Sequence, residues 1–499
     1  MAPVRAALLS FVVPGFGQWA VGRWLRGLLF LFPHLGLVAL AGLAAAAPRA
    51  ELLGTLVRPE TLLALLALDA LLFLQRLVAV LDAYLAAGGR RSASSRVVRA
   101  TSLTALTVLV AISGLVHGAL GYLGVRAYGT LDAVFVGDAG WQVPEYGPSA
   151  PPSSSPPPSS SPPPSPSPSP RPSASSSPSP SLSPSGSPSP FASPSPSPSP
   201  SPSPVPGWAA DGRLDLLLIG SDAGPDRWSL RTDTLIVLSV DVATGHAALF
   251  GIPRNLVGVP LPAESAAAFP DGRFPGLLNA LYVYAMGHPR AFPGGESRGF
   301  RAVAGAVQEL VGVRLDGAVV VNLAGFVQLV DAIGGLWIQV PERLYDAYYP
   351  LEDGSGHIVV DIRPGCRHLD GRMALAYARS RHQDSDYGRM ARQQAVLVAL
   401  RRQLDPVALL PRLPELLDIA GRNLWTTLDR DDVAGLAELA GRVDAAAVKR
   451  VLFVPPAYPS HLDDRAIARI RAVVRGVFER GDWPAPEDVP SGPACPRSP

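Results

Sequence analysis

From Pro148 to Pro206 the chain is written almost entirely in Pro and Ser. No segment of that composition can bury a hydrophobic core, so this stretch divides the sequence and each side must be read separately. The molecule carries 54 Pro in 499 residues, about twice the usual share of roughly 5%, and most of the excess sits here. Dense Pro favours polyproline II, which at ~3.1 Å per residue gives a reach on the order of 170 Å if the arm is stiff. The arm reads as a disordered spacer, of a kind suited to a domain working within a thick extracellular layer.

The N-terminal side reads as a membrane anchor. Gly27–Ala47 and Ser102–Val125 carry no charged side chains apart from what His34 and His117 contribute when protonated, and about 20 apolar residues suffice to cross a bilayer. Between them, Leu62–Leu85 is apolar but holds Asp69, Gln75, Arg76 and Asp82. Asp69 and Arg76 are spaced to share a helix face and to pair. Gly88–Arg99 has Arg90, Arg91, Arg96 and Arg99 without an acid, and Arg23 and Arg26 precede the first span. The positive-inside rule places both clusters in the cytoplasm, so Leu62–Leu85 must cross and everything after Val125 lies outside. Ala6–Ala20, broken by Pro14, Gly15 and Gly17, reads as a re-entrant or interfacial piece.

The C-terminal side alternates strands and helices. Leu214–Gly220, Thr234–Val242 and His246–Ile252 read as buried strands, with Ala243–Gly245 as a hairpin turn. Further on, Gly317–Asn322 and Leu336–Val340 read as strands. Phe300–Val311, Phe326–Ala332, Gly371–Tyr377, Arg389–Leu404, Asp431–Val443 and Arg465–Arg480 read as helices. The expected fold class is α/β, an α-β-α sandwich around a central mixed sheet. The expected domains are an anchor of about three helices over 1–126, the linker over 127–207, a globular domain over 208–483 and a loose tail over 484–499. The net charge is +2, which gives no basic excess for nucleic acid. Neither a nucleophile elbow nor a phosphate-binding P-loop is present. The histidines show no paired metal spacing, so zinc is not expected. Cys366 and Cys495 are the only cysteines, and outside the cell they could form a disulfide.

In this charge-poor chain the polar residues gather at strand ends. Asp222 follows the first strand, Arg231 and Asp233 precede the second, and Arg254 follows the third. Arg379, Arg381, Asp384, Asp386, Arg389, Arg392 and Gln393 come later. Several arginines with a few aspartates suit a pyrophosphate: guanidinium groups clamp phosphate oxygens and two carboxylates can hold a Mg²⁺.

In the stretches LLLIGSDAG, RTDTLIVLSVDVATGHAALFGIPRN, LVDAIGGLWIQVP and LDGRMALAYARSRHQDSDYGRMARQQ, the sequence resembles the LytR-CpsA-Psr family of cell-wall glycopolymer transferases. The resemblance implies transfer of a glycan from a polyprenyl-pyrophosphate carrier to peptidoglycan, at the 6-hydroxyl of N-acetylmuramic acid. A phosphodiester forms and polyprenyl phosphate leaves. It implies Mg²⁺, with Mn²⁺ as the alternative ion, on Asp222 and Asp233. It implies a pyrophosphate grip by Arg231, Arg254, Arg379, Arg381, Arg392 and Gln393, with Arg254, Arg379, Arg381 and Asp233 as the catalytic set. An apolar tunnel would take the polyprenyl tail, with Leu310, Phe326, Leu329, Val330 and Ile333 as its lining. The expected partners are the lipid-linked glycan, the peptidoglycan acceptor and the membrane, with the catalytic domain on the extracellular face. Two departures stand out. Asn255 replaces the acid usual after Ile-Pro-Arg, and Pro275–Asn279 lacks the Lys often found there. Two rivals use the same residues: a polyprenyl-pyrophosphate pyrophosphatase, and a non-catalytic wall-associated protein that binds lipid phosphate.

Overall fold

The computed structural model describes residues 2–46, 55–56, 58–89, 96–135, 207–221, 232–351, 356–383, 385–404, 408–479, 489 and 495. The chain forms two compact units, residues 1–146 with 206–499 and residues 147–205. The second unit lies outside the described residues, as do Arg90, Arg91, Asp222, Arg231 and Asp384.

Among the described residues the chain opens with the helices α1 (Pro3–Val12), α2 (Phe16–Ala20), α3 (Trp24–Ala46), α4 (Pro59–Ala86) and α5 (Arg96–Val134). Trp24–Leu43, Pro59–Ala86 and Ala100–Val134 are long and apolar enough to cross a membrane. Their outer faces are bare Leu, Val and Phe, which is what a lipid solvent tolerates. α1 and α2 are parted at Pro14-Gly15, where Gly15 takes a φ of +101° that a side chain would strain. The polar residues of α4 face other helices. Asp69 does not pair with Arg76: its carboxylate meets His117 Nδ1 of α5 at 2.7 Å, while Arg76 lies over the Phe11 ring of α1. A partner on a neighbouring helix ties two spans together, which a pair within α4 would not do.

The C-terminal body is built on a six-stranded mixed sheet. Its strands are β1 (Arg213–Ser221), β2 (Thr232–Asp241), β3 (Ala247–Gly251), β6 (Gly317–Asn322), β11 (Leu424–Thr426) and β12 (Lys449–Leu452), in the order β11-β6-β1-β2-β3-β12. β1, β2 and β3 run antiparallel in turn, and β6 and β12 run parallel to β1 and β3. The β2–β3 turn is the expected one: Asp241 accepts from the Thr244 amide and Gly245 takes a φ of +73°. Alternate residues serve opposite faces. Leu217, Ile219, Val237 and Phe250 pack with α6 (Leu281–Gly287), α7 (Arg298–Val311) and, from the chain's end, α13 (Asp464–Arg475). Leu216, Ile236, Val240 and Leu249 pack on the other face with α10 (Asp386–Gln403) and α12 (Val433–Arg442). Helices on both faces explain why the strands read as nearly continuous apolar runs.

A second, smaller core lies beside the sheet. It joins α8 (Leu323–Ala332), α9 (Gly371–Arg379), β7 (Leu336–Val340), the hairpin of β8 (Leu344–Pro350) and β9 (His357–Ile362), and part of α10. β10 (Gly365–Leu369) pairs with β7 and carries Cys366, which is disulfide-bonded to Cys495 with 5.6 Å between the Cα atoms. β4 (Val257–Pro260) and β5 (Arg273–Leu277) form a further small hairpin. α11 (Leu413–Asn423) receives the end of α5: Arg126 Nη1 meets Asp418 Oδ1 at 2.7 Å, Thr130 donates to the Leu417 carbonyl, and Phe135 bridges to Thr426 of β11. The third long apolar helix thus runs directly onto the α/β body.

Candidate active site

The register of β2 and β3 sets up the site. Gly251 lies opposite Ile236 and the Ile252 amide bonds to the Leu235 carbonyl, so Arg254 comes level with Asp233. Arg254 Nη1 meets Asp233 Oδ1 at 2.6 Å. Two residues scattered in sequence are thus paired by strand geometry alone. The Asn279 amide bonds to the Arg254 carbonyl, and the Asn279 side chain donates to Asp233 at 3.4 Å.

α10 crosses the same sheet edge. Gln394 donates to the carbonyls of Leu249 and Val451, pinning the helix across β3 and β12, and Gln393 donates to Thr234 Oγ1 of β2 at 2.9 Å. Residues 386, 389 and 393 share one helix face, which brings Asp386 and Arg389 to the charged pair. Arg389 is only 4% exposed. It meets Asp386 Oδ2 at 3.0 Å and donates to the Asp233 carbonyl. Asp386 Oδ2 also lies 3.4 Å from Arg254 Nε, and its Oδ1 lies 3.7 Å from Arg381 Nη1.

The segment leaving α9 supplies the remaining arginines. Arg379 donates to the Tyr349 hydroxyl at 3.3 Å and lies over that ring. Arg379, Ser380, Arg381, His382 and Asp386 line a cavity of ≈ 500 Å³ together with Asp346, Tyr348, Tyr349 and Pro350. Arg392 is placed differently. Its guanidinium donates to the carbonyls of Tyr377 and Ser380, bracing this segment, and it lines a separate cavity of ≈ 940 Å³ with Trp337, Ile338, Val398 and Arg450.

The electrostatics follow from the packing. Burial pushes the Asp233 carboxyl up, but the hydrogen bond and charge of Arg254, helped by Asn279 and Arg389, outweigh it and hold the group below its ordinary value. Burial lowers Arg389 to about 10, partly offset by Asp386 and Asp233. Arg254, Arg381 and Arg389 meet Asp233 and Asp386, and Arg379 and Asp346 share the cavity wall with Arg381 and Asp386, so among these described residues arginines outnumber aspartates by one beside the cleft. Such a cleft attracts a polyanion, and guanidinium groups can bind its oxygens two at a time.

Of the residues singled out in sequence, Asp233, Arg254, Arg379 and Arg381 gather around Asp386. Asp222 and Arg231 fall outside the described residues. The five apolar residues do not share one cluster: Leu310 is fully buried under the main sheet, Phe326, Val330 and Ile333 belong to the second core, and Leu329 is half-buried. None of them lines either cavity. The sequence places Arg389 among the candidate charges but assigns it neither a pyrophosphate-binding nor a catalytic role. Its spacing from Asp386 looks like an ordinary solvated pair, and only the crossing of α10 over the sheet buries it.

Residues 187–454 match the family model described as LytR_cpsA_psr. The chain belongs to the LytR_cpsA_psr family. Among curated relatives of this family member, TagU of Halalkalibacterium halodurans, named a polyisoprenyl-teichoic acid–peptidoglycan teichoic acid transferase, is 29% identical over 48% of this chain and 68% of its own length. Biofilm regulatory protein A of Streptococcus mutans is 24% identical over 46% of this chain and 53% of its own length. The probable cell wall biosynthesis protein LcpB of Corynebacterium glutamicum is 30% identical over 38% and 37%. This family member thus spans about half the length of the first curated relatives it matches. Among solved structures, TagV of B. subtilis aligns over 54% of this chain and 98% of its own, at 20% identity and a TM-score of 0.38.

Proposed function

We propose that this family member transfers a glycopolymer from a polyprenyl-pyrophosphate carrier to peptidoglycan. The observation that carries the reading is the convergence of Arg254, Arg381 and Arg389 on Asp233 and Asp386 at the edge of an open cavity. The names of the teichoic acid transferases among its relatives support the reaction class. We place the three apolar helices in the cell membrane and the α/β body on the extracellular side, as the basic residues of Gly88–Arg99 demand.

In the resting chain the two carboxylates hold the arginines in place. An incoming pyrophosphate replaces them on Arg254 and Arg381, and the guanidinium groups spread the charge that builds on its oxygens. The acceptor hydroxyl oxygen attacks the sugar-side phosphorus. The bond to the bridging oxygen breaks, and polyprenyl phosphate leaves with the electron pair. Asp386, whose Oδ1 is buried and takes no hydrogen bond among the described residues, receives the hydroxyl proton.

The residues present suit Mg²⁺. Ser221 and Thr232 are cross-strand partners on β1 and β2, Thr232 being next to Asp233 in the chain, and their hydroxyls are buried without hydrogen-bond partners among the described residues. Hard oxygens of this kind suit that ion better than a softer metal. Asp233 would hold it, with Asp222, and it would neutralise phosphate oxygens. The prenyl tail would take the larger cavity, where Trp337, Ile338 and Val398 offer apolar wall.

The test uses the full chain in proteoliposomes with a lipid-linked donor and peptidoglycan. Arg254→Ala is expected to cut polymer attachment by roughly 100-fold or more, the scale of losing one charge-stabilising donor. Attachment at the native level would overturn the reading. Free polymer released without attachment would assign the chain to hydrolysis.

A further inference from the structure

The β8–β9 hairpin makes no ion pair with Asp233, Arg254, Asp386 or Arg389 among the described residues, yet it walls the smaller cavity. Its register explains how. Asp346 pairs with Val360 and Tyr349 with Ile358, so Ala347 and Tyr348 together oppose Val359. One extra residue in a strand makes a bulge, which turns a side chain away from its regular direction, and bulges are frequent beside active sites. Here Tyr349 turns inward, is 2% exposed and takes Arg379, while its neighbour Tyr348 is left 66% exposed at the cavity rim.

That exposure is not slack. Asp346 is buried, and its carboxylate accepts from the Tyr348 amide at 3.1 Å and from Ser380 Oγ at 2.7 Å. One side chain thus locks the bulge to the segment that carries Arg379 and Arg381. The Tyr348 ring lies 5.2 Å from the His357 ring and 6.3 Å from the His382 ring. A flat ring with a polar edge, held at little entropic cost beside a charged floor, is a recognition surface.

The chemistry selects the ligand. A phosphate has no use for the ring, and a prenyl tail would bury Arg381 and Asp386 against hydrocarbon. A pyranose ring has an apolar C–H face and a hydroxylated rim, and satisfies both. We propose that Tyr348, flanked by His357 and His382, is the stacking platform for a sugar ring next to the transferred phosphate, with Asp346 as its positioning residue. The inference rests on the transferase reading and names a sugar subsite of that site. The sugar belongs either to the acceptor strand or to the donor glycan.

Full-length protein in detergent micelles is titrated with soluble N-acetylglucosamine–N-acetylmuramic acid oligomers and, separately, with a soluble donor-glycan fragment, following ligand saturation-transfer signals. Tyr348→Ala is expected to weaken binding of one of the two by about 3–10-fold, the range of a single aromatic contact, and Tyr348→Phe to restore it. Whichever ligand responds identifies the source. Transfer kinetics give the same answer as a rise in KM for that substrate with kcat within twofold. Unchanged binding of both sugars by Tyr348→Ala, with native thermal unfolding, would overturn the subsite. Tyr348-dependent sugar binding by a chain that transfers nothing would overturn the transferase reading and leave the subsite standing.

Discussion

Burying the Arg389 guanidinium removes it from water, and among the described residues Asp386 and the Asp233 carbonyl are what compensate it. Breaking one side of a buried pair leaves the other charge stranded, at about 3–5 kcal/mol. Arg389→Ala is therefore expected to lower stability by about that amount as well as abolish transfer, whereas Arg381→Ala, on an exposed side chain, should abolish transfer with little change in the unfolding curve. Equal thermal midpoints for the two variants would contradict this. A second residue acts at the opposite end of β1. Asp316 accepts the Asp215 amide at 2.8 Å. Burial lifts its carboxyl to about 7, opposed by that hydrogen bond and reinforced by the charge of Asp215. The folded pKa lies above the unfolded one, so this group's contribution is fullest below pH ~4 and is lost as pH rises through about 7. Asp316→Asn keeps an oxygen for the amide and does not ionise. It should be more stable than the native chain at pH 8, on the order of 1–3 kcal/mol, and show no such gain at pH 4. Thermal melts at the two pH values check it. Arg389 is legible in sequence as one of the candidate charges, but its burial, like that of Asp316, is set by what packs on it from distant segments.

Elements with a strong internal signal were readable, and those that depend on a partner were not. β1, β2, β3, β6 and β7 are apolar runs bounded by turn residues, and α7 and α9 carry a clear buried face. β11 has three residues and owes its existence to the open edge of β6. β8 and β9 mix buried and exposed aromatics around a bulge, which defeats a period of two. The landing of α5 on α11 was hidden too, since it joins residues 126–135 to 417–426 across the Pro/Ser arm. That contact is close: a Cβ on Gly421 would lie 3.5 Å from the Thr130 Cα. Cysteines at such a distance can bridge. Thr130→Cys with Gly421→Cys should cross-link in native membranes under mild oxidation, and either cysteine alone should not. Absence of the bond in the double variant would show that the helix and the body are not docked.

Docking changes what the arm must do. If the α/β body stood free of the spans, the Pro/Ser segment would set how far it reaches, and a carrier held in the bilayer would be served only when the arm folds back. Here Phe135, the last described residue ahead of the arm, bridges to Thr426, and Trp208, just after the arm, packs into the core of the same body. Arg430 adds a contact at 3.1 Å to Asp132, near the end of α5. The described residues on either side of the arm thus belong to one compact unit, from which we expect that arm length does not govern how the cavity reaches a membrane-held carrier. Removing residues 161–200 is expected to leave polymer attachment within about twofold of native, because loop-closure entropy changes by only about 0.6 kcal/mol for each doubling or halving of length. Opening the dock should act the other way. Arg126→Glu places like charge against Asp418, and its attachment rate should fall in the native-length chain, then recover when Asp418→Arg restores the pair. A chain that loses attachment on shortening, yet ignores the charge reversal, would mean that the arm and not the helix delivers the site to its lipid.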